Sequence, residues 1–178
     1  MIEIRDAEPS EYAAVGELTV AAYSLLPVDH LWGGYAADIR DTAGRAEYAD
    51  ILVGTLDGEL SGAVMYVPDA TSPWSEWTEA GEAQFRLLAV AGAARGRGVG
   101  EGLTRECMRR ADAAGQPIVI HTSKWLTTAH RIYRRLGFER RPDRDVPYTE
   151  WNSPPVADLP SEWIGESFLA YSWRAASG

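Results

Sequence analysis

Phe85-Arg86-Leu87-Leu88-Ala89-Val90, followed by Arg95-Gly96-Arg97-Gly98-Val99-Gly100, is the stretch whose reading decides the fold. The first piece ends a strand-like run from Glu82. Beyond the second, Val99, Leu103, Cys107, Ala111 and Ala114 fall at the spacing of one helical face, so the order is strand, glycine turn, long helix. Gly96, Gly98 and Gly100 clear side chains from the helix start. An anion can then reach the unpaired N–H groups of the first turn, where the helix dipole adds roughly half a unit of positive charge. Arg95 and Arg97 add charge-assisted hydrogen bonds of about 1.5–3 kcal/mol each, which suits a diphosphate better than a carboxylate. The implied ligand is a phosphate-bearing cofactor. Two nucleotide loops are excluded. G-x-G-x-x-G fails because its last position falls on Glu101 or Leu103, and no Gly-Lys-Ser/Thr follows for a hydrolase loop.

Outward from this turn the chain alternates strands and helices. Glu101 and Arg105 stand four apart on the outer side of the long helix, and Gly115 ends it. Pro117 to His121 reads as a short strand. Thr127 or Thr128 is placed to cap a helix with inner face Ala129, Ile132, Tyr133 and Leu136, terminated by Gly137. Upstream, Ile51–Leu56 and Leu60–Val67 flank Asp57-Gly58, the signature of a β-hairpin. Ile2 to Arg5 alternates as a strand, and Tyr12, Val15, Leu18 and Ala22 mark a helix face. Pro27 and Gly33-Gly34 separate that helix from a looser helical pattern over Gly33–Ala49. Asp69 to Gly81 is a polar loop carrying Trp74 and Trp77. Half of the 10 prolines fall between Pro142 and Pro160, an irregular excursion before a last strand at Glu166–Trp173. The order predicts an α/β fold of the mixed-sheet α+β kind, with helices on both faces of a central sheet, in one domain over residues 1–178.

Composition narrows the function classes. With 17 basic and 26 acidic side chains among 178 residues the net charge is −9, which opposes a duplex nucleic-acid surface. No apolar stretch approaches the ~18–20 residues needed to span a bilayer, so no membrane role is expected. The N-terminus carries no basic n-region or apolar h-region. One cysteine and 3 histidines allow neither an internal disulfide nor a zinc cluster, so no metal is expected and a cytoplasmic location fits.

The turn matches R-x-x-G-x-G, and Ala129-His130-Arg131-Ile132-Tyr133-Arg134-Arg135-Leu136-Gly137-Phe138 matches A-x-x-x-Y-x-x-x-G-F. Together, in this order and spacing across residues 82–139, the two motifs resemble the GCN5-related N-acetyltransferase superfamily. The resemblance implies acetyl-coenzyme A as co-substrate. It implies that backbone groups of Leu88, Ala89 and Val90 pair with the pantetheine arm, and that the N–H groups of Arg95, Gly96, Arg97, Gly98, Val99 and Gly100 hold the pyrophosphate. It also implies that Tyr133 protonates the departing thiolate. A phenol of ordinary pKa ~10 holds its proton at neutral pH and can do this. The reaction would be direct attack of a primary amine of a small molecule or protein on the thioester, with strand N–H groups near Val90 stabilising the developing oxyanion. Relatives often carry a base early in the central strand. Here Gln84 stands nearest that slot, and Glu82, on the same face by alternation, is the candidate base acting through water.

Other residues have plainer readings. Cys107 belongs to the helix core, and His121 and His130 are structural or exposed rather than metal ligands. Trp74-Ser75-Glu76-Trp77 is either surface packing or a wall that receives a cationic amine on ring faces and carboxylates. The negative net charge repels the cofactor only at long range, because fields decay over ~8 Å at physiological salt. Two other readings stand beside the enzyme. One is an inactive acyl-CoA-binding sensor of the same fold, consistent with Gln84. The other is an interaction protein whose Trp-rich loop and proline excursion form a partner or homodimer interface.

Overall fold

A computed structural model describes residues 1–26, 29, 34–151 and 161–176. The chain opens with β1 (Ile2–Asp6), α1 (Tyr12–Ser24), and the short α2 (Tyr35–Arg40) and α3 (Thr42–Ala46). The single helix expected over Gly33–Ala49 is thus two. Asp41 breaks it at φ −74°, ψ 66°, and its side chain caps α3 by accepting from Gly44 N–H. Pro27, Gly33 and the prolines 154, 155 and 160 lie outside the described residues.

The hairpin β2 (Asp50–Leu56) and β3 (Glu59–Val67) turns at Asp57 (φ 54°) and Gly58 (φ 87°), the paired positive φ values that a tight hairpin requires. Then come β4 (Gln84–Val90), α4 (Val99–Ala113), β5 (Ile118–Thr122), α5 (Thr127–Arg135), β6 (Glu139–Arg140), β7 (Val146–Pro147) and β8 (Ser167–Trp173). α5 starts at the expected threonines, but Leu126 occupies the cap position and no side chain caps it.

Two antiparallel four-stranded arrays result, β1-β2-β3-β4 and β5-β8-β6 with β7 also on β8. Among the described residues a single parallel bridge, Ala83 with Ile118, joins them, and the mixed character of the sheet rests on it. One core packs α4 and α5 on the sheet through Leu103, Cys107, Ile118, Ile120, Tyr133 and Phe138. The other packs α1 and α2 on the opposite face through Val15, Ile39, Val53, Met65 and Leu87. Helices therefore cover both faces, as the pattern predicts. Cys107 is fully buried, and burial pushes its thiol pKa up, so it stays a protonated core residue. Ala114 is exposed, because the helix ends at Ala113.

Two paired glycines seat α4. Gly54 and Gly62 are register partners on β2 and β3, and a Cβ on either would lie 2.8 or 2.7 Å from Val99 Cγ1. Their bareness lets the first turn of α4 settle on the sheet, which brings the glycine turn down to the end of β4.

Candidate active site

β4 has one paired edge and one open edge. Ala83 donates its N–H to Pro117 O and accepts from Val119 N–H, both at 2.9 Å, but among the described residues β4 makes no further ladder with β5. From Phe85 onward no backbone hydrogen bond joins the two strands among the described residues. β4 is also irregular. Met65 pairs Arg86 and Ala63 pairs Ala89, so Leu87 and Leu88 together face the single Val64, and Leu87 sits at φ 56°. A leucine in left-handed backbone costs about 1–3 kcal/mol, so the surrounding structure must hold it there. The bulge decides which backbone groups face the gap. Ala91 N–H donates to Ser61 O, so Val90 turns its own N–H and C=O away from β3 into the opening, and alternation puts Leu88 there too. Ala89 points at β3 instead, and of the three strand residues expected to meet pantetheine it is the one whose backbone is already paired.

The turn after β4 leaves backbone donors open. Gly96 (φ 76°) and Gly98 (φ 94°) take left-handed backbone, with open space around Gly96. Arg95 and Arg97 spend their N–H groups on Gly92 O and Ala94 O, each at 3.3 Å. Among the described residues the N–H groups of Gly96, Gly98, Val99, Gly100 and Glu101 have no hydrogen-bond acceptor, and the first helical bond runs from Gly102 N–H to Gly98 O. Five unclaimed donors at the positive end of a 15-residue helix fit a pyrophosphate. The Arg95 and Arg97 side chains are exposed and loosely held, by Ala22 O at 3.4 Å and Asp57 at 3.5 Å.

An 80 Å³ pocket has a wall that includes Tyr23, Tyr35, Trp77, His121, Trp151 and Phe168. Leu87 lines it too, so it reaches the bulge. Arg86 and Glu76 pair inside at 2.9 Å, Glu76 also accepts from Trp151 Nε1, and Arg86 donates to Trp74 O. Of the tryptophan loop, Trp77 and Glu76 face the pocket, while Trp74 packs on the second core.

Gln84 has a structural task that a carboxylate could not perform. Its Nε2 donates to Glu76 O at 2.9 Å and its Oε1 accepts from Glu76 N–H at 3.1 Å, which clamps the tryptophan loop to β4. Glu82 points to a different place. Both its oxygens take Arg144, at 2.6 and 3.0 Å, and Oε2 also accepts from Glu79 N–H. It lines a 310 Å³ cavity with Val119, Glu139 and Trp173, apart from the aromatic pocket. Burial would raise its pKa, but the Arg144 and Glu79 bonds outweigh burial and hold it below the ordinary value. A depressed carboxylate stabilises the fold above its unfolded pKa of ~4.3, and that contribution fades as pH falls through the folded value. Glu82→Gln is therefore expected to lower stability at neutral pH by about 1–3 kcal/mol and to narrow that difference in acid. Thermal unfolding at several pH values checks this. A lost ascending limb in the turnover pH profile of the variant would instead assign Glu82 to catalysis.

Tyr133 is 4% exposed, with its ring against Phe85, Phe138 and Tyr171. Burial pushes its pKa far up, and the phenol of Tyr23, which lines the pocket, raises it further. It keeps its proton at any physiological pH. His130, on the same helix, is a buried structural residue between Tyr171 Oη and Ser123 O. Among the described residues no three His, Cys, Asp or Glu side chains gather to hold a metal, and no helix is long and apolar enough to cross a membrane.

An unpaired strand edge, unclaimed backbone donors at a helix start and a pocket that Arg86 and Leu87 of β4 help to line are the features an acyl-transfer site needs. The sequence matches the Acetyltransferase (GNAT) family over residues 15–138. The chain belongs to that family and is an acetyl-CoA-dependent acyltransferase. A GNAT family acetyltransferase from Brucella melitensis, solved in complex with acetyl-CoA, is 26% identical, covering 78% of this chain and 83% of its own, with a TM-score of 0.57. An acetyltransferase of the family from Streptococcus agalactiae is 19% identical over 99% of this chain and 96% of its own, at a TM-score of 0.70. The ribosomal-protein-S18-alanine N-acetyltransferase from Escherichia coli is 13% identical over 100% and 97%, at 0.67. A search of curated proteins found no match.

Proposed function

We propose that the protein is a single-domain, cytoplasmic N-acetyltransferase over residues 1–178, moving acetyl from acetyl-CoA directly to the primary amine of a small molecule. The observation that carries this reading is the 80 Å³ aromatic pocket with Leu87 in its wall, which opens beside the free edge of β4. The donors from Gly96 to Glu101 would take the pyrophosphate, and the backbone of Leu88 and Val90 the pantetheine amides. The amine enters neutral, its nitrogen bonds to the thioester carbon, and the C–S bond breaks. Tyr133 then gives its phenolic proton to the sulfur, the new amide nitrogen loses its surplus proton, and exchange with water restores the phenol. Glu82 does not fit as the base in this scheme, since Arg144 and Glu79 already occupy its carboxylate. The clamp made by Gln84 gives that residue a reason to be an amide in an active enzyme, so it no longer favours an inactive sensor.

A protein acceptor is the second form of this reading, and the size of the pocket favours the small molecule. Thiol release from saturating acetyl-CoA, measured with small primary amines and with short peptides bearing free N-termini, tests the choice. Turnover confined to the amines is expected. Turnover confined to peptides would move the acceptor to protein, and none at all in a protein that binds acetyl-CoA would leave the sensor.

A further inference from the structure

With Gln84 clamped and Glu82 paired, the transfer lacks a proton acceptor, and one further group lies in the pocket wall. His121 is on β5, and its side chain shares with Val119 the sheet face opposite to Ile118 and Ile120, which belong to the α4–α5 core. It lines the pocket together with Leu87 of the bulge. The Trp77 ring meets it edge-on, with centroids 5.2 Å apart and planes at 68°, so the imidazole cannot turn freely. Its Nε2 is 3.1 Å from Arg144 O. A carbonyl only accepts, so Nε2 carries the hydrogen. The neutral ring then presents a bare lone pair on Nδ1, and that atom is buried and without a hydrogen-bond partner among the described residues. A buried acceptor left unsatisfied is costly unless a ligand N–H completes it.

We propose that His121 is a catalytic residue of the transfer: Nδ1 accepts a hydrogen bond from the neutral acceptor amine, aims its lone pair at the thioester carbon, and takes its proton. This rests on the acyl-transfer reading above and adds the missing step to it. As the N–C bond forms, an N–H bond of the amine breaks and its proton passes to Nδ1. As the C–S bond breaks, the sulfur takes the Tyr133 proton, and exchange with water returns one proton to Tyr133 and removes one from His121. The charged groups around the ring suit a neutral acceptor. Burial holds its pKa down to about 4; the hydrogen bond to Arg144 O raises it, the Arg144 guanidinium lowers it, and Asp145 and Glu82 raise it, all without overcoming burial. Glu76 shares the pocket wall but is engaged by Arg86. His121 is therefore unprotonated through neutral pH and selects an N–H donor.

The test measures thiol release from saturating acetyl-CoA with ethylamine and with water alone as acceptor, in wild type, His121→Ala and His121→Asn. Acetyl-CoA affinity, read by thermal shift, should be unchanged in both variants. Thiol release by His121→Ala should fall about 100-fold, and added imidazole should recover part of it. His121→Asn, which offers an acceptor oxygen near the Nδ1 position, should recover the amine KM without the kcat. The wild-type rate per neutral amine should stay level over about pH 6 to 9, whereas the alanine variant should climb with pH as solvent bases take over. Wild-type rates in His121→Ala, a loss that neither imidazole nor asparagine touches, or no thiol release by a wild type that binds acetyl-CoA would each overturn the assignment. Absence of acetyl-CoA binding by wild type would instead overturn the acyl-transfer reading beneath it.

Discussion

Tyr133→Phe is expected to lower kcat for acetyl transfer by about 1000-fold while leaving acetyl-CoA affinity and the unfolding midpoint nearly unchanged. Phenylalanine keeps the ring, so the packing against Phe85, Phe138 and Tyr171 survives. Only the hydroxyl is lost. In the proposed chemistry that hydroxyl donates to sulfur as the C–S bond breaks, an interaction absent from the ground state, so the loss falls on kcat rather than KM. The raised pKa of Tyr133, caused first by burial, means that no alkaline limb from this residue enters the physiological range. Steady-state kinetics with an accepted amine checks this. A loss expressed only in acetyl-CoA affinity or in thermal stability would make Tyr133 a core tyrosine.

Gly98→Asp should weaken acetyl-CoA binding by about 1000-fold, because a carboxylate about 4 Å from a phosphate costs on the order of 4 kcal/mol at an effective dielectric of 20. Gly98 is the N-cap of α4, with φ 94°, and it adjoins the unclaimed donors of Val99 and Gly100. Aspartate and asparagine are among the side chains that best tolerate left-handed backbone, so both variants should fold. Gly98→Asn has the same shape without the charge, and its loss should be about tenfold, from backbone strain and crowding. Calorimetric titration separates the two. Equal affinities for the aspartate and asparagine variants would mean that no phosphate sits at this turn.

The parts of this molecule that were legible in sequence are those fixed by local chemistry. Asp57-Gly58 announces its hairpin because the tight turn needs two positive φ values, and Gly96 and Gly98 announce their turn for a related reason. The α4 stripe is legible because its apolar positions recur at helical spacing. The missed features depend on partners distant in sequence. Leu87 gives no sign of a bulge, since leucine is an ordinary strand residue held here in unusual backbone by the opposing β3. Gln84 reads as a vacant base slot until Glu76 is seen returning to meet its amide. Simple alternation puts Glu82 on the right face, but its fate is decided by Arg144, 62 residues away. His121 reads as bland because a lone histidine carries no spacing signal, and its free nitrogen becomes visible only with Arg144 O on the opposite side of the ring. Asp69 to Gly81 does signal itself, through tryptophans set among acids, and two of its residues reach the pocket.

If the open edge of β4 and the donors of Gly96 to Glu101 form one site for acetyl-CoA, the cofactor should stabilise the fold. The shift in unfolding midpoint with acetyl-CoA, against NAD and ATP at equal concentration, measures this. A ligand at ~100 times its dissociation constant adds about 2.7 kcal/mol to native stability, a shift of several degrees in a domain of this size. Acetyl-CoA should give that shift and the two nucleotides little. An unshifted midpoint with acetyl-CoA, in a protein that melts cooperatively, would contradict such a site and return the glycine turn to a strand-to-helix connection.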